Sequence, residues 1–146
     1  MLVRTLLPKV RDRMRCIDED AALLEGARLL DDDYDMLVIR ERQGRMTGVL
    51  TKSDAVRKMG HCAGASCTAP VAEAMSRAVV CMTPDEQLGN CWQTMKDRGL
   101  KNVPVVDPDG MPLGVLNARD VLQSLWEDVR HEEDLLFNYV MNVGYR

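Results

Sequence analysis

The stretch Gly48-Val49-Leu50-Thr51-Lys52-Ser53-Asp54 returns almost unchanged at Gly114-Val115-Leu116-Asn117-Ala118-Arg119-Asp120. Each copy is a glycine, a short apolar run, a small polar residue, two positions that differ between the copies, and an aspartate. The apolar run has the character of the end of a buried strand, and the polar residue falls where a following helix needs a cap. Thr51 or Asn117 would then present a side-chain oxygen beside free backbone N–H groups, with Asp54 or Asp120 three residues on. That grouping suits a ribose and a phosphate, because amides take the anion and a carboxylate takes sugar hydroxyls. One copy alone is ordinary helix punctuation; two copies indicate a repeated unit.

The likeness extends outward from the motif. Asp20–Leu30 aligns with Asp85–Met95, matching Leu23 to Leu88, Ala27 to Trp92 and Leu30 to Met95. These positions recur at i, i+4 and i+7, the core stripe of an amphipathic helix. Asp20, Asp85 and Pro84 suit helix N-termini, while Asp31–Asp33 and Arg98-Gly99 mark the stops. Paired strands follow at Met36–Ile39 and Val103–Val106, turning at Gly44 and Asp109-Gly110 and returning over Met46–Leu50 and Pro112–Leu116. A short strand is expected before each first helix, at Arg15–Ile17 and Ala78–Met82.

The fold class expected is α/β (α+β): two β-α-β-β-α repeats packed sheet to sheet with pseudo-two-fold symmetry. A unit of about 60 residues is marginal by itself, so the two should share a core. The expected boundaries are an arm over 1–9, repeats over 10–60 and 71–125, a connector over 61–70, and a C-terminal helical extension over 126–146. Along Val121–Tyr145, Leu122, Leu125, Trp126 and Val129 keep helical spacing, Leu136 and Val140 continue it, and Leu135, Phe137 and Tyr139 widen it. Such a stripe packs either on its own core or on a second subunit, and spacing does not choose between them.

Composition narrows the function. The chain is 46% hydrophobic and 29% charged with a net charge of −4, its acid concentrated at Asp31-Asp32-Asp33 and Glu132-Glu133-Asp134. Without a basic cluster, nucleic acid is not an expected partner. No apolar run reaches the roughly 18–20 residues of a membrane span. Met1–Val10 is short and interrupted by Arg4, Pro8 and Lys9, unlike a secretory signal, so the cytoplasm is expected. The 5 cysteines form no disulfide framework. Cys16 and Cys81 read as small core residues, and Cys91 shares an apolar helix face with Leu88, Trp92 and Met95. His61, Cys62 and Cys67 lie in a Gly/Ala/Ser-rich connector without a fourth ligand or a zinc spacing, so no metal site is assigned. Neither His61 nor His131 has a recognisable catalytic partner, and no P-loop or GxGxxG occurs. The expectation is a non-enzyme with no obligatory cofactor.

A doubled strand–helix–strand–strand–helix unit ending in Gly-hydrophobic-hydrophobic-Thr/Ser-x-x-Asp resembles a pair of cystathionine-β-synthase-type (CBS) domains, the Bateman module. The resemblance covers roughly Val10–Leu125 and rests on Gly48–Asp54, Gly114–Asp120 and Asn102-Val103-Pro104-Val105-Val106-Asp107. Val10–Met14 and Val71–Met75 match the valine-x-x-x-methionine opening of such repeats, and Glu132–Tyr145 is similar to the end of small bacterial proteins made only of this pair.

The resemblance implies an adenosine-containing ligand (AMP, ADP, ATP, S-adenosylmethionine or NAD) in clefts between the repeats, and disc-shaped homodimers. It implies that Asp54 with Thr51, and Asp120 with Asn117, hold ribose or phosphate. Tyr34-Asp35-Met36 and Leu100-Lys101-Asn102 would line the pockets, and Ile17-Asp18 and Met82-Thr83 would border the cleft of the opposite repeat. Asn117 departs from the usual Thr/Ser, with Arg119 beside it able to pair with a phosphate. Asp35 and Asp31–Asp33 are expected near the Thr51 pocket, where they would repel a polyphosphate unless magnesium intervened. A phosphorylated ligand is therefore expected on the Asn117/Arg119/Asp120 side. The implied role is regulatory, with the signal passing through a dimer interface or to a separate effector protein. The alternative is a ligand-free adaptor acting through its dimer surface and C-terminal helix.

Overall fold

Strict alternation along the strands gives each sheet two apolar faces. In the computed structural model, which describes residues 1–61 and 68–144, β1 (Cys16–Asp18) runs parallel to β2 (Met36–Arg40), and β2 pairs antiparallel with β3 (Met46–Thr51). Leu37, Ile39 and Leu50 turn one way, into a core with Leu23 of α2 (Leu23–Leu29) and Ala55 of α3 (Lys52–His61). Met36, Val38 and Val49 turn the other way and meet Val115 of the second sheet. That sheet pairs β4 (Asn102–Val106) antiparallel with β5 (Pro112–Asn117). Its Val103, Val105 and Leu116 pack on Leu88, Cys91 and Met95 of α4 (Leu88–Arg98) and Val121 of α5 (Ala118–Gly144). The two sheets thus meet across one apolar layer, as expected.

The segment leading into each half packs in the other half. After a 3-10 turn at Val3–Leu6, the short α1 (Leu7–Asp12) places Val3, Leu6 and Val10 in the core of β4, β5 and α4. Val71, in another 3-10 turn, and Met75 go to the core of β1–β3. This exchange explains the motif glycines. A Cβ at Gly114 would lie 2.3 Å from the Val10 carbonyl oxygen, and one at Gly48 would lie 2.6 Å from that of Ser76. Only a residue without a side chain lets the crossing backbone approach so closely.

The crossing also shifts two expected boundaries. Both first helices begin three residues later than Asp20 and Asp85 suggest. Their first N–H groups are taken by the crossing chains, Leu23 donating to the Ala69 carbonyl (2.7 Å) and Leu88 to that of Met1 (2.8 Å). The expected strand over Ala78–Met82 is reduced to one bridge, Met82 to Val105. Its chain is travelling between sheets, since Ser76 is bridged to Val49 of β3 only six residues earlier.

Only the start of α5 packs on its own half. Val121 and Ser124 are buried and Leu125 is partly buried, whereas residues 131–142 are all exposed. The alternative in which the whole stripe covers its own core is therefore excluded. Cys91 is buried and its thiol is pushed up to about 11, chiefly by burial, while Cys16 and Cys81 are half-buried. Cys62, Cys67 and the side chain of His61 lie outside the described residues. Among the described residues no His/Cys/Asp/Glu cluster could hold a metal, and no helix is long and apolar enough to cross a membrane.

Candidate functional site

The polar residue of each motif is a helix cap, as its position suggests. Thr51 Oγ1 accepts the Asp54 N–H (3.2 Å) while Asp54 Oδ2 accepts the Thr51 N–H (3.0 Å), a reciprocal capping box. Asn117 Oδ1 accepts the Arg119 N–H (3.0 Å), and its Nδ2 donates to Asn102 Oδ1 (2.9 Å). The aspartates are each engaged by a crossing segment. Ser76 Oγ donates to Asp54 (3.2 Å), whereas Arg13 grips Asp120 with both ends of its guanidinium, Nε to Oδ2 at 2.8 Å and Nη2 to Oδ1 at 2.9 Å.

Register sets where these groups open. Thr51 stands opposite Met36 and Asn117 opposite Asn102, so each motif ends beside the segment that enters its own strand pair. Two clefts flank that meeting point. One, of about 360 Å³, is lined by Tyr34, Asp35, Met36, Lys101, Asn102, Asn117 and Arg119, together with Arg13, Asp32, Asp33 and Val115. The other, of about 420 Å³, is lined by Thr51, Lys52, Ser53, Gly99 and Leu100, and shares Asp35, Met36, Lys101 and Asn102 with the first. Each therefore combines the motif of one repeat with the strand-entry loop of the other. Gly99 holds that loop in its half at φ 65°, ψ 34°, the left-handed turn that ends α4.

Some residues singled out from sequence do not join them. Ile17 and Met82 are buried in the helix-facing cores, and Asp18 pairs with Arg40 (3.2 Å). Thr83 uses its N–H on the Glu86 carboxylate. Asp54 lines neither cleft; Asp120 lines an adjoining cavity of about 450 Å³ with Lys9, Asp12, Arg13, Asp33 and Tyr34. The acidic loop reaches both clefts: Asp35 lines the Thr51 cleft, and Asp32 lies 3.7 Å from Lys52 on its wall. Asp32 and Asp33 also stand on the wall of the Asn117 cleft, and Tyr34 ties the loop to the end of α1. The Tyr34 hydroxyl donates to the Asp12 carbonyl (3.0 Å), and the Arg15 guanidinium lies 3.9 Å over its ring. Asp31 turns inward on its own loop, accepting N–H groups of Asp33 and Tyr34.

Arg13 is the residue that sequence reading missed. It lies inside the Val10–Met14 opening, 107 residues from Asp120, and nothing local marks it. Three cations line the Asn117 cleft. Arg13 is paired with Asp120, which raises its pKa through the hydrogen bond, and Lys101 is paired with Asp35. The Arg119 guanidinium has no partner among the described residues. Among those residues neither cleft is lined by histidine or cysteine; the groups they present are charged side chains and hydrogen-bonding amides and hydroxyls.

The CBS domain family model matches twice, over residues 5–61 and 71–127. The CBS-domain containing protein ATU1752 from Agrobacterium tumefaciens superposes with a TM-score of 0.71 at 25% identity, covering 85% of this chain and 98% of that one. CBSX2 in complex with AMP superposes at 0.73, and the domain pair of MJ0100 with 5′-methylthioadenosine and S-adenosyl-L-methionine at 0.71. These two are 16% and 19% identical, covering 86% and 88% of this chain and 96% and 98% of theirs, and show the fold alone. Among curated relatives, protein MJ1404 of Methanocaldococcus jannaschii is 25% identical over 86% of the chain, which spans 29% of its length. The chain spans between 22% and 65% of the curated relatives it matches.

Proposed function

The chain belongs to the CBS-domain family, as two copies in tandem, and from that premise we propose that it is a cytoplasmic regulatory module. In this reading it binds an adenosine-containing ligand, such as AMP, ADP, ATP, S-adenosylmethionine or NAD, in the clefts between its repeats. It then relays occupancy to an effector protein. The observation that carries the reading is the pair of related clefts, each built by the motif of one repeat and the strand-entry loop of the other. Polar groups converging on a concavity of this size mark a small-molecule site. CBSX2 with AMP, MJ0100 with its two adenosine compounds and the MgtE cytosolic domain with ATP support the ligand class.

The Asn117 cleft is the one assigned to a phosphorylated ligand, since Arg119 reaches it unpaired. A di- or triphosphate there would bring magnesium to shield Asp32 and Asp33. Occupancy can bias the relative orientation of the repeats only by its differential affinity for the two arrangements. A thermal-shift and calorimetric series with these adenosine compounds tests the proposal. The expected result is a saturable rise in melting temperature that Arg119→Gln weakens. Because Arg119 makes no structural pair, that variant should fold normally. No response to any of the compounds would reject the sensor reading.

A second reading is favoured by the apolar face of α5, where Leu122, Trp126 and Val129 are about half or more exposed. It is an association surface, proposed to join two copies of the chain.

A further inference from the structure

We propose that Arg13 is a latch that makes the Asn117 cleft selective for ligands carrying an anionic group; this rests on the reading of that cleft as a ligand site. The guanidinium consumes both oxygens of Asp120, at 2.8 and 2.9 Å. Arg13, Asp33 and Tyr34 line both the 360 Å³ cleft and the adjoining 450 Å³ cavity, whereas Asp120 opens only on the latter. Arg13 therefore stands in the partition between them. A ligand entering beside Asn117 and Arg119 reaches the Asp120 carboxylate only by breaking the pair.

Breaking it strands two charges, one of them a carboxylate whose side chain is 12% exposed. A sugar hydroxyl can donate to the released carboxylate. Only an anion gives the released guanidinium an equivalent partner, because a planar guanidinium matches phosphate as well as it matches carboxylate. An uncharged nucleoside leaves Arg13 unpaired and incurs the penalty of an unsatisfied charge. The latch is also placed to report its own opening. Arg13 follows α1, whose Val10 is buried in the second half, and precedes β1 in the first.

The probes are AMP and adenosine, titrated calorimetrically into the intact protein and into Arg13→Gln. The wild type is expected to prefer AMP by about tenfold or more, and Arg13→Gln to weaken AMP while strengthening adenosine, so that the preference falls by about threefold or more and Arg119 retains the remainder. Arg13→Lys, which keeps the charge without the fork, should retain an intermediate preference. If Arg13→Gln does not fold by circular dichroism, the neutral pair Arg13→Gln/Asp120→Asn takes its place; there both probes should weaken, and the preference for AMP should fall as in the single variant. Binding of both probes with an unchanged preference in the variant overturns the latch and leaves the ligand site standing. Failure of both probes to bind any form overturns the latch, and failure of ADP, ATP, S-adenosylmethionine and NAD as well overturns the site.

Discussion

Asp35 and Lys101 occupy the same position in the two repeats and form an ion pair with each other. They are 66 residues apart, the spacing that also relates Gly48 to Gly114. Two residues related by a local two-fold can meet only close to its axis, so this pair marks where the axis between the halves passes. Identical residues there would face like charge, and opposite charges turn the axis into an attraction. Both clefts share the pair, and Lys52 stands 3.6 Å from Asp35 on the Thr51 side.

Lys101 is 70% exposed, so removing the pair with Lys101→Met should lower stability by no more than about 1 kcal/mol. Lys101→Asp should be worse, and Asp35→Lys/Lys101→Asp should recover most of the loss in urea unfolding. The pH dependence has a definite sign. The Lys101 hydrogen bond, followed by the charges of Lys101 and Lys52, holds the Asp35 carboxyl below its ordinary value against an opposing desolvation. A carboxyl depressed in the folded state stabilises above its unfolded pKa, about 3.9, and loses that contribution as pH falls through the folded value. Stability of Lys101→Met should therefore decline less steeply below about pH 4 than that of the wild type. Equal slopes would show that the pair has no energetic weight.

The motif glycines give an ordered series. Gly114→Ala drives a Cβ to 2.3 Å from backbone at Val10 and should destabilise by about 3 kcal/mol or more. Gly48→Ala meets the Ser76 carbonyl at 2.6 Å and should cost about 2 kcal/mol. A methyl group added at Gly89 in α4 would meet nothing within 4 Å, so Gly89→Ala should be neutral or stabilising by up to about 0.8 kcal/mol. Chemical denaturation of the three variants checks the order. A tolerated Gly114→Ala would mean that α1 does not hold its place on the second half.

Those glycines also show where sequence reading stops. The strand pairs were legible because alternation and the turns at Gly44 and Gly110 are local signals. The doubled motif gave the caps at Thr51 and Asn117 for the same reason. The helix starts were misplaced because Leu23 and Leu88 are pinned by backbone from Ala69 and Met1, segments distant in sequence. Val10 and Val71 were recognisable as equivalents, but no local pattern says that each enters the opposite core. The fate of the motif aspartates was hidden likewise. Ser76 and Arg13 reach them only through the crossing.

Because Thr51 and Asn117 are caps, their substitution should alter stability even without ligand. Thr51→Ala should cost about 1 kcal/mol. Asn117→Ala should cost about 1–2 kcal/mol, since it also removes the partner of Asn102. Asn117→Ser keeps an oxygen for the Arg119 N–H and should recover about half of that loss. Thermal unfolding of the ligand-free variants reads these differences. An Asn117→Ser as damaging as Asn117→Ala would place the main role of Asn117 in its bond to Asn102.

The exposed face of α5 leads to an oligomeric expectation. Leu122, Trp126, Val129, Leu136 and Val140 are 49–65% exposed and fall on one side of the helix at three-, four- and seven-residue steps. Val56 on α3 holds the position equivalent to Leu122 and is 69% exposed, so the apolar surface follows the internal symmetry across both repeats. A surface repeated in this way is suited to an isologous partner, in which one patch meets its own copy. A helix end with no residue buried over 131–142 gains little from its own core and needs such a cover. Light scattering at micromolar concentration should give twice the 16.4 kDa chain mass. Trp126→Glu/Leu136→Glu should return the mass to one chain without loss of the folded core, because both side chains are more than 60% exposed. A wild-type protein that stays at one chain mass at high concentration would reject the dimer and leave the face to a different partner.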